Sequence, residues 1–210
     1  FSDSHHNTKA LLVSINRYYQ NMSAEILNAI PTSGQFTKRH FGEHFNSQLW
    51  VKFTDNNFQE WVGCFSKSYD NTLCLALTDE NNLISFLIAG GQGYLIDIDK
   101  REIITELDEQ PLIESAIRTT SPNYFIAGTF YSIYILNETG LIKEVRPDKI
   151  IDGIYFKSQL DNKAIGDFAT TENQYDYNVD FEFDLTTFEL QLNYKTKQGL
   201  IGKLWNKFTN

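Results

Sequence analysis

The spacing of apolar residues changes near residue 49 and divides the chain into two stretches. Over residues 8–30 the apolar positions recur every three or four residues, which is the period of an amphipathic helix, and Pro31 ends that pattern. From Leu49 onward, short apolar runs alternate with clusters of Asn, Asp, Gly and Thr, which is typical of strands joined by turns. The pattern predicts an N-terminal helix and connector over residues 1–48, packed on a single β-repeat domain over residues 49–210.

An internal repeat of 38 residues runs through the second stretch. The tripeptide Ile-Ala-Gly at 88–90 aligns with the same tripeptide at 126–128, and Gly166 falls in the same column. The same offset aligns 103–107 with 141–145, so the match covers two consecutive strands and their turn. The third copy contains an insertion near 171–179 and ends in an apparent hairpin. The sequence therefore predicts three copies of one structural unit.

Each copy divides into four short strands. In the middle copy these strands are predicted at 113–119, 124–130, 132–138 and 141–145, and Gly140 suits the positive φ of a tight turn. A four-stranded meander exposes an apolar face that it cannot bury alone. Successive copies must therefore stack, either as blades around an axis or as the layers of a sandwich.

The segment ILNETGLIKEV, residues 135–145, resembles the strand hairpins of blades in quinoprotein-like and related β-propellers, with Asn137 where those blades carry Asp. The resemblance extends over about residues 73–192 and implies a propeller-like array. Three copies and two leading strands give about three and a half blades, fewer than in a closed propeller. We predict an open array of four-stranded antiparallel meanders, with the N-terminal helix over one edge and a short C-terminal helix at 199–208. A β-sandwich is the alternative.

Acidic residues outnumber basic ones, and this balance changes which partners we expect. With 27 Asp and Glu against 18 Lys and Arg, the formal net charge is -9, which disfavours nucleic acid as a partner. No apolar run is long enough to span a membrane, so we expect a cytoplasmic location. Strand alternation puts acidic residues opposite Phe181 and Phe183 on a solvated face. The residues predicted to bind a basic partner are Asp97, Asp99, Asp176, Asp180, Glu182 and Asp184.

The sequence HFGEH at 40–44 matches the H-x-x-E-H pattern of one group of zinc metalloproteases, which implies His40, Glu43 and His44 as metal-site residues. That chemistry requires a helix, whereas Gly42 costs about 1 kcal/mol in a helix and the motif lies in the predicted connector. The sequence favours a solvated or partly packed connector. The glycines of GGQG at 90–93 join two strands, so they predict a hairpin and not a phosphate-binding loop.

The β region contains no histidine and no recognisable nucleophile motif, so we predict a protein-binding module without a cofactor. Its general character, a compact acidic β protein, resembles bacterial immunity proteins that neutralise a cognate toxin, and this implies a basic toxin domain as partner. Two alternatives stay open. One is a metal-dependent hydrolase that uses HFGEH, and the other is a small-ligand or glycan-binding module that uses exposed aromatic residues such as Trp50, Trp61 and Tyr131. Cys64 and Cys74 are predicted to be buried free thiols, with a cross-strand disulfide as the alternative.

Overall fold

The computed structural model describes residues 23–43, 47–70, 72–108, 110–147, 151–170 and 178–193. These residues form four sheets of four strands each and contain no helix. The first sheet consists of β1 (Ala24–Ile26), β2 (Thr37–Phe41), β3 (Gln48–Thr54) and β4 (Glu60–Ser66). The second consists of β5 (Cys74–Asp79), β6 (Ile84–Ala89), β7 (Gln92–Asp97) and β8 (Glu102–Glu106). The third consists of β9 (Ile113–Arg118), β10 (Phe125–Thr129), β11 (Ile133–Asn137) and β12 (Gly140–Val145). The fourth consists of β13 (Ile151–Leu160), β14 (Lys163–Thr170), β15 (Asn178–Asp184) and β16 (Leu190–Asn193).

The second, third and fourth sheets are antiparallel meanders whose strands pair in chain order. They correspond to the three predicted repeat copies, and the four strands predicted for the middle copy are confirmed within two residues at each end. The turn at 138–139 is closed by Asn137, whose side-chain oxygen accepts the Thr139 N–H at 2.9 Å. Gly140 has φ +129, the backbone conformation that the turn was predicted to need.

The first sheet departs from the prediction in both of its outer strands. Residues 24–26 form β1, which pairs with β3, and they are not the end of a helix. The predicted connector contains β2, which pairs with β4 in parallel, so the strand order is β1-β3-β4-β2. Residues 8–22 of the predicted helix and the predicted C-terminal helix lie outside the described residues. The prediction was wrong at 24–26 because these residues are ordered by pairing with 51–53, a partner that local spacing does not reveal.

Three apolar cores hold the four sheets together, one between each pair of successive sheets. Within β6, Phe86 and Ile88 face the third sheet, whereas Leu87 and Ala89 face the first. The second and third sheets therefore bury both faces, which explains why their central strands read as continuous apolar runs and do not alternate. No helix long and apolar enough to cross a bilayer occurs in the part of the chain that the structure describes.

The first strands of successive sheets lie side by side, β1 next to β5, β5 next to β9, and β9 next to β13. The Ser115 hydroxyl accepts the Phe156 N–H at 2.8 Å, and the Gln159 side-chain oxygen accepts the Thr120 N–H at 2.8 Å. The residue numbers of both partners increase from the first contact to the second, so β9 and β13 run in the same direction.

Asp79 at the end of β5 contacts Arg118 at the end of β9. Asn56 in the turn after β3 contacts Asp99 in the turn after β7. The turns after β3, β5, β7, β9, β11, β13 and β15 therefore gather at one end of the molecule, which we call the hairpin end.

The glycine column of the repeat marks close approaches to β13. A Cβ added at Gly128 would lie 2.3 Å from the Ile154 carbonyl oxygen, and one added at Gly166 would lie 2.3 Å from the Tyr155 carbonyl oxygen. Gly90, in the same column, has φ +60 and lies in the turn between β6 and β7. Glycine is therefore required in the third and fourth sheets by a close backbone contact, and in the second sheet by a turn with positive φ.

Replacing Gly128 by alanine is expected to lower the free energy of unfolding by about 3 kcal/mol, because the β13 backbone must move to admit the methyl group. Gly34→Ala is the matched control, since its added Cβ meets nothing within 4 Å and only its φ of +82 is strained. That strain is expected to cost about 1 kcal/mol. Urea unfolding of both variants measures the difference, and equal losses would show that β10 does not approach β13 this closely.

Candidate functional site

The HFGEH motif begins on a strand and not on a helix. His40 and Phe41 are the last residues of β2, where the Phe41 ring stacks on Phe65 with 4.9 Å between centroids. The His40 ring meets Trp50 edge-on at 6.0 Å, and Glu43 follows the strand on the rim of a cavity. His44 lies outside the described residues. The helical face that the zinc interpretation requires is absent at 40–43, and within the described ranges no three His, Cys, Asp or Glu side chains are grouped to hold a metal ion.

Strand alternation along β15 is as predicted. Phe181 and Phe183 are fully buried in the core between the third and fourth sheets, whereas Asp180 and Glu182 lie on the opposite, outer face of the fourth sheet. Glu182 pairs with Lys163 on that face. These two acidic residues are therefore at the surface, but they belong to a face that also carries lysines.

The other described residues of the predicted acidic set lie at hairpins of the hairpin end: Asp97 ends β7, Asp99 lies in the turn after it, and Asp184 ends β15. Asp97 pairs with Lys100 at 2.6 Å; burial alone would raise its pKa, but the hydrogen bonds from Lys100 hold the pKa below its ordinary value. Asp99 accepts the Asn56 N–H at 2.8 Å and thereby ties the second sheet to the first. Asp184 accepts the N–H groups of the two threonines at 186–187, which lower its pKa. Asp176 lies outside the described residues.

The predicted acidic residues therefore do not form one cluster. Asp97 and Asp99 lie at one hairpin of the second sheet, and Asp184 lies at a hairpin of the fourth sheet. Asp180 and Glu182 extend from that end along the outer face of the fourth sheet. Sequence alternation identified which residues face outward. The alternation did not reveal how many of these carboxylates form ion pairs or hydrogen bonds within the chain.

An aromatic groove lies at the hairpin end between the third and fourth sheets. Its volume is about 670 Å³, and the Tyr124 and Phe188 rings stand 5.9 Å apart between centroids. The Lys143 ammonium lies 5.4 Å from the centroid of the Phe188 ring. The groove is lined by Ser121, Pro122, Tyr124, Asp161, Asn162, Leu185, Thr186 and Phe188. The sequence did not indicate this site, because its two main turns are more than 60 residues apart and neither carries a recognisable motif.

A second, smaller cavity lies between the first and second sheets at the end opposite the hairpin end. Its volume is about 270 Å³, and we call it the polar pocket. Its lining residues are Glu43, Ser66, Lys67, Ser68, Gln92, Tyr94 and Glu106. Only Glu43 was among the candidate residues predicted from the sequence.

The aromatic residues predicted to bind a small ligand are not grouped. Trp61 is fully buried, and its indole N–H donates to the Ile98 carbonyl oxygen at 3.1 Å, so the prediction that it is exposed was wrong. Trp50 is half-buried in β3, and Tyr131 is exposed in the turn after β10. Trp61 was mispredicted because a strand residue that faces a neighbouring sheet has the same local pattern as one that faces solvent.

Both cysteines are free thiols, as predicted. Cys64 is buried in β4, where burial raises the pKa of its thiol to about 11, and Cys74 is half-buried in β5. The two strands belong to different sheets and are not the adjacent pair that a cross-strand disulfide would need.

Comparisons with known proteins return distant structural similarities. No family model and no curated protein matches the chain. Among solved structures, the hydrazine synthase of Kuenenia stuttgartiensis is similar with a TM-score of 0.38 and 15% identity, over 54% of this chain and 33% of that one. BBS1N in complex with ARL6DN is similar with a TM-score of 0.33 and 15% identity, over 69% of this chain and 47% of that one. A lead-soaked crystal of the same complex gives the same TM-score with 14% identity, over 69% and 48%. The chain spans less than half the length of these structures, and similarities of this size do not identify a function.

Proposed function

We propose that this chain is a protein-binding module whose aromatic groove holds a basic segment of a partner protein. The observation that carries the proposal is the groove itself, a cleft at the hairpin end with two aromatic rings and the carboxylate of Asp161 in its walls. We further propose that the four sheets are blades of an open, propeller-like array, because their first strands lie side by side in chain order. In such an array the hairpin turns form a continuous rim on which a partner can rest.

The groove has the composition of an interface anchor. Pro122, Tyr124 and Phe188 supply apolar surface, and polar side chains at 161–162 and Thr186 surround it. Interface hot spots combine an aromatic pocket, which a partner side chain fills, with a polar rim that excludes water. A volume of about 670 Å³ is sufficient for one or two large side chains of a partner.

The charge beside the groove favours a basic partner. The outer face of the fourth sheet, which extends from the groove, carries four carboxylates against two lysines. The lysines are Lys157, which pairs with Asp167, and Lys163, which pairs with Glu182, and the sum of the charges on this face is negative. A net charge of -9 for the whole chain adds to this field, and complementary charge increases the rate at which partners associate.

A lysine or arginine side chain fits the chemistry of the groove. Its aliphatic stem would pack across the exposed edges of the Tyr124 and Phe188 rings while its charged group reaches Asp161. Lys143 already holds its ammonium over the Phe188 ring, so we assign the charged group of the partner to Asp161 and not to this ring face. The partner class predicted from sequence, a basic bacterial toxin domain, agrees with this chemistry and remains a proposal. Co-expression of this chain with a candidate toxin domain tests the proposed toxin partner, and the chain should protect the cells from that toxin.

Selection from a random peptide display library against the immobilised protein tests the proposed binding. We expect the selected peptides to be enriched in Lys and Arg and to bind less tightly as salt is raised, because the attraction is partly electrostatic. Tyr124→Ala should weaken the binding of a selected peptide at least tenfold, since it removes one wall of the groove.

Tyr131→Ala provides the matched control, because Tyr131 is an exposed tyrosine in a turn at the opposite end. It should leave peptide affinity unchanged, and thermal unfolding should confirm that both variants are folded. Selected peptides without basic enrichment, or equal affinities for the two variants, would count against the proposed function.

A further inference from the structure

Two short motifs from separate parts of the sequence meet in the polar pocket. Glu43 belongs to HFGEH, and Gln92 belongs to the GGQG turn between β6 and β7. Neither motif lies on the helix that its known chemistry uses, since the first begins on a strand and the second joins two strands. Instead, both motifs contribute a residue to the lining of the same cavity.

Glycines bring the walls of the pocket together. Gly42 has φ +85, and a Cβ there would lie 2.8 Å from the Ser66 Cβ and 2.9 Å from the Tyr94 hydroxyl oxygen. Any other residue would push the end of β2 away from β4 and β7. Gly90 has φ +60, and a Cβ there would lie 2.2 Å from the Tyr69 carbonyl oxygen, so the GGQG turn packs directly on the 67–69 segment. The close packing of these segments sets the small size of the pocket.

The base of the pocket is fixed by hydrogen bonds. Gln92 is 3% exposed; its side-chain amide donates to the Leu107 carbonyl oxygen, and its side-chain oxygen accepts the Ser68 hydroxyl at 3.1 Å. The Tyr94 hydroxyl donates to the Ser66 carbonyl oxygen at 3.0 Å. These bonds hold an amide and two hydroxyl groups in place below the charged residues. A pre-formed polar base reduces the ordering that a ligand would otherwise have to induce.

Charges of both signs surround the mouth of the pocket. Glu43 and Glu106 are exposed, and Lys67 is half-buried between them and the base. Throughout the part of the chain that the structure describes, the side chains of Glu43 and Lys67 make no hydrogen bond or ion pair with each other or with another residue. One ammonium and one carboxylate therefore remain available to a ligand at the same small cavity.

We propose that the polar pocket binds a small zwitterion of the α-amino acid class. The ligand carboxylate would face Lys67, and its ammonium would face Glu43. A volume of about 270 Å³ is suited to a ligand of this size. A diamine fits less well because Lys67 would repel its second ammonium, and a sugar fits less well because the Tyr94 ring is 1% exposed and offers no face for stacking.

Isothermal titration of the protein alone with each L-α-amino acid, with putrescine and with glucose tests this assignment. We expect at least one amino acid to bind with one-to-one stoichiometry and millimolar affinity or better, and more tightly than putrescine or glucose. Lys67→Met and Glu43→Gln should each weaken that binding about tenfold, because each removes one charged contact.

Lys100→Met provides the control, since Lys100 is an exposed lysine at the hairpin end and its loss should not affect the titration. The assignment would be overturned if no amino acid bound, if putrescine or glucose bound at least as tightly, or if Lys67→Met left the affinity unchanged. The proposal does not depend on a protein partner, and the titration uses none. Its failure would therefore leave the proposal for the aromatic groove intact.

Discussion

Replacing Phe86 by alanine is expected to lower the free energy of unfolding by about 4 kcal/mol. Phe86 is fully buried in the core between the second and third sheets, where its ring lies 6.0 Å from that of Phe125. Its loss removes apolar contacts and leaves a cavity between two sheets that are held together mainly by this core. Urea unfolding followed by tryptophan fluorescence measures the change.

Phe58→Ala provides the matched control for this substitution. The Phe58 side chain is 67% exposed in the turn after β3, so its removal should change the free energy of unfolding by less than about 0.5 kcal/mol. A loss at Phe86 as small as the loss at Phe58 would show that the second sheet is not packed between two others. That result would contradict the stacked arrangement of the four sheets.

Replacing Asp79 by alanine is expected to cost about 3 kcal/mol. Asp79 is 1% exposed at the end of β5, and its carboxylate accepts hydrogen bonds from Arg118 at 2.9 Å, Asn123 at 2.6 Å and Asn82 at 2.8 Å. The alanine variant would leave the Arg118 guanidinium without its counter-ion and two amides without their acceptor. Because Arg118 and Asn123 belong to the third sheet, this cluster also fastens two sheets at the hairpin end.

The effect of Asp79 should depend on pH in a defined direction. Burial acts to raise the pKa of Asp79, but the hydrogen bonds from Asn123 and Asn82 and the charge of Arg118 outweigh it, so the pKa lies below the ordinary 3.8. A carboxyl whose pKa is lower in the folded than in the unfolded chain stabilises the fold above pH 3.8 and loses that contribution as the pH falls through its folded pKa. The difference in unfolding free energy between wild type and Asp79→Ala should therefore be largest near neutral pH and shrink below pH 3.8.

Asp108→Asn is the control for the pH series, because Asp108 is exposed in the segment after β8. Its unfolding free energy should follow that of the wild type closely at every pH. The difference in unfolding free energy between wild type and Asp79→Ala could instead stay constant from neutral to acid pH. That result would show that the ionised carboxylate does not hold the second and third sheets together.

The meander sheets were predictable because their signals are local. The middle copy alternates short apolar runs with turn residues, and Gly140 marks a tight hairpin that the structure contains. The hairpin formed by β15 and β16 followed from the same alternation, which also placed Phe181 inward and Glu182 outward. The 38-residue repeat then linked these local patterns into a series of similar sheets.

The first sheet and both cavities depend on contacts between distant residues. β1 is three residues long and is held by pairing with β3, while β2 pairs in parallel with β4, an arrangement that the other sheets do not contain. The polar pocket joins Glu43 to Gln92 through the packing of two sheets. Such contacts leave no periodic pattern in a single sequence, so neither the outer strands nor the cavities could be predicted from it.

Amide hydrogen exchange with and without a selected basic peptide tests the central proposal most directly. Binding in the aromatic groove should slow exchange in the turns at 119–124 and 185–189, which carry Tyr124 and Phe188. Exchange near Lys67 and Gln92, at the opposite end, should not change. Protection of both turns at the hairpin end is the predicted result. Protection confined to the opposite end, or no protection with a peptide that binds, would contradict the proposal that the groove holds a basic partner.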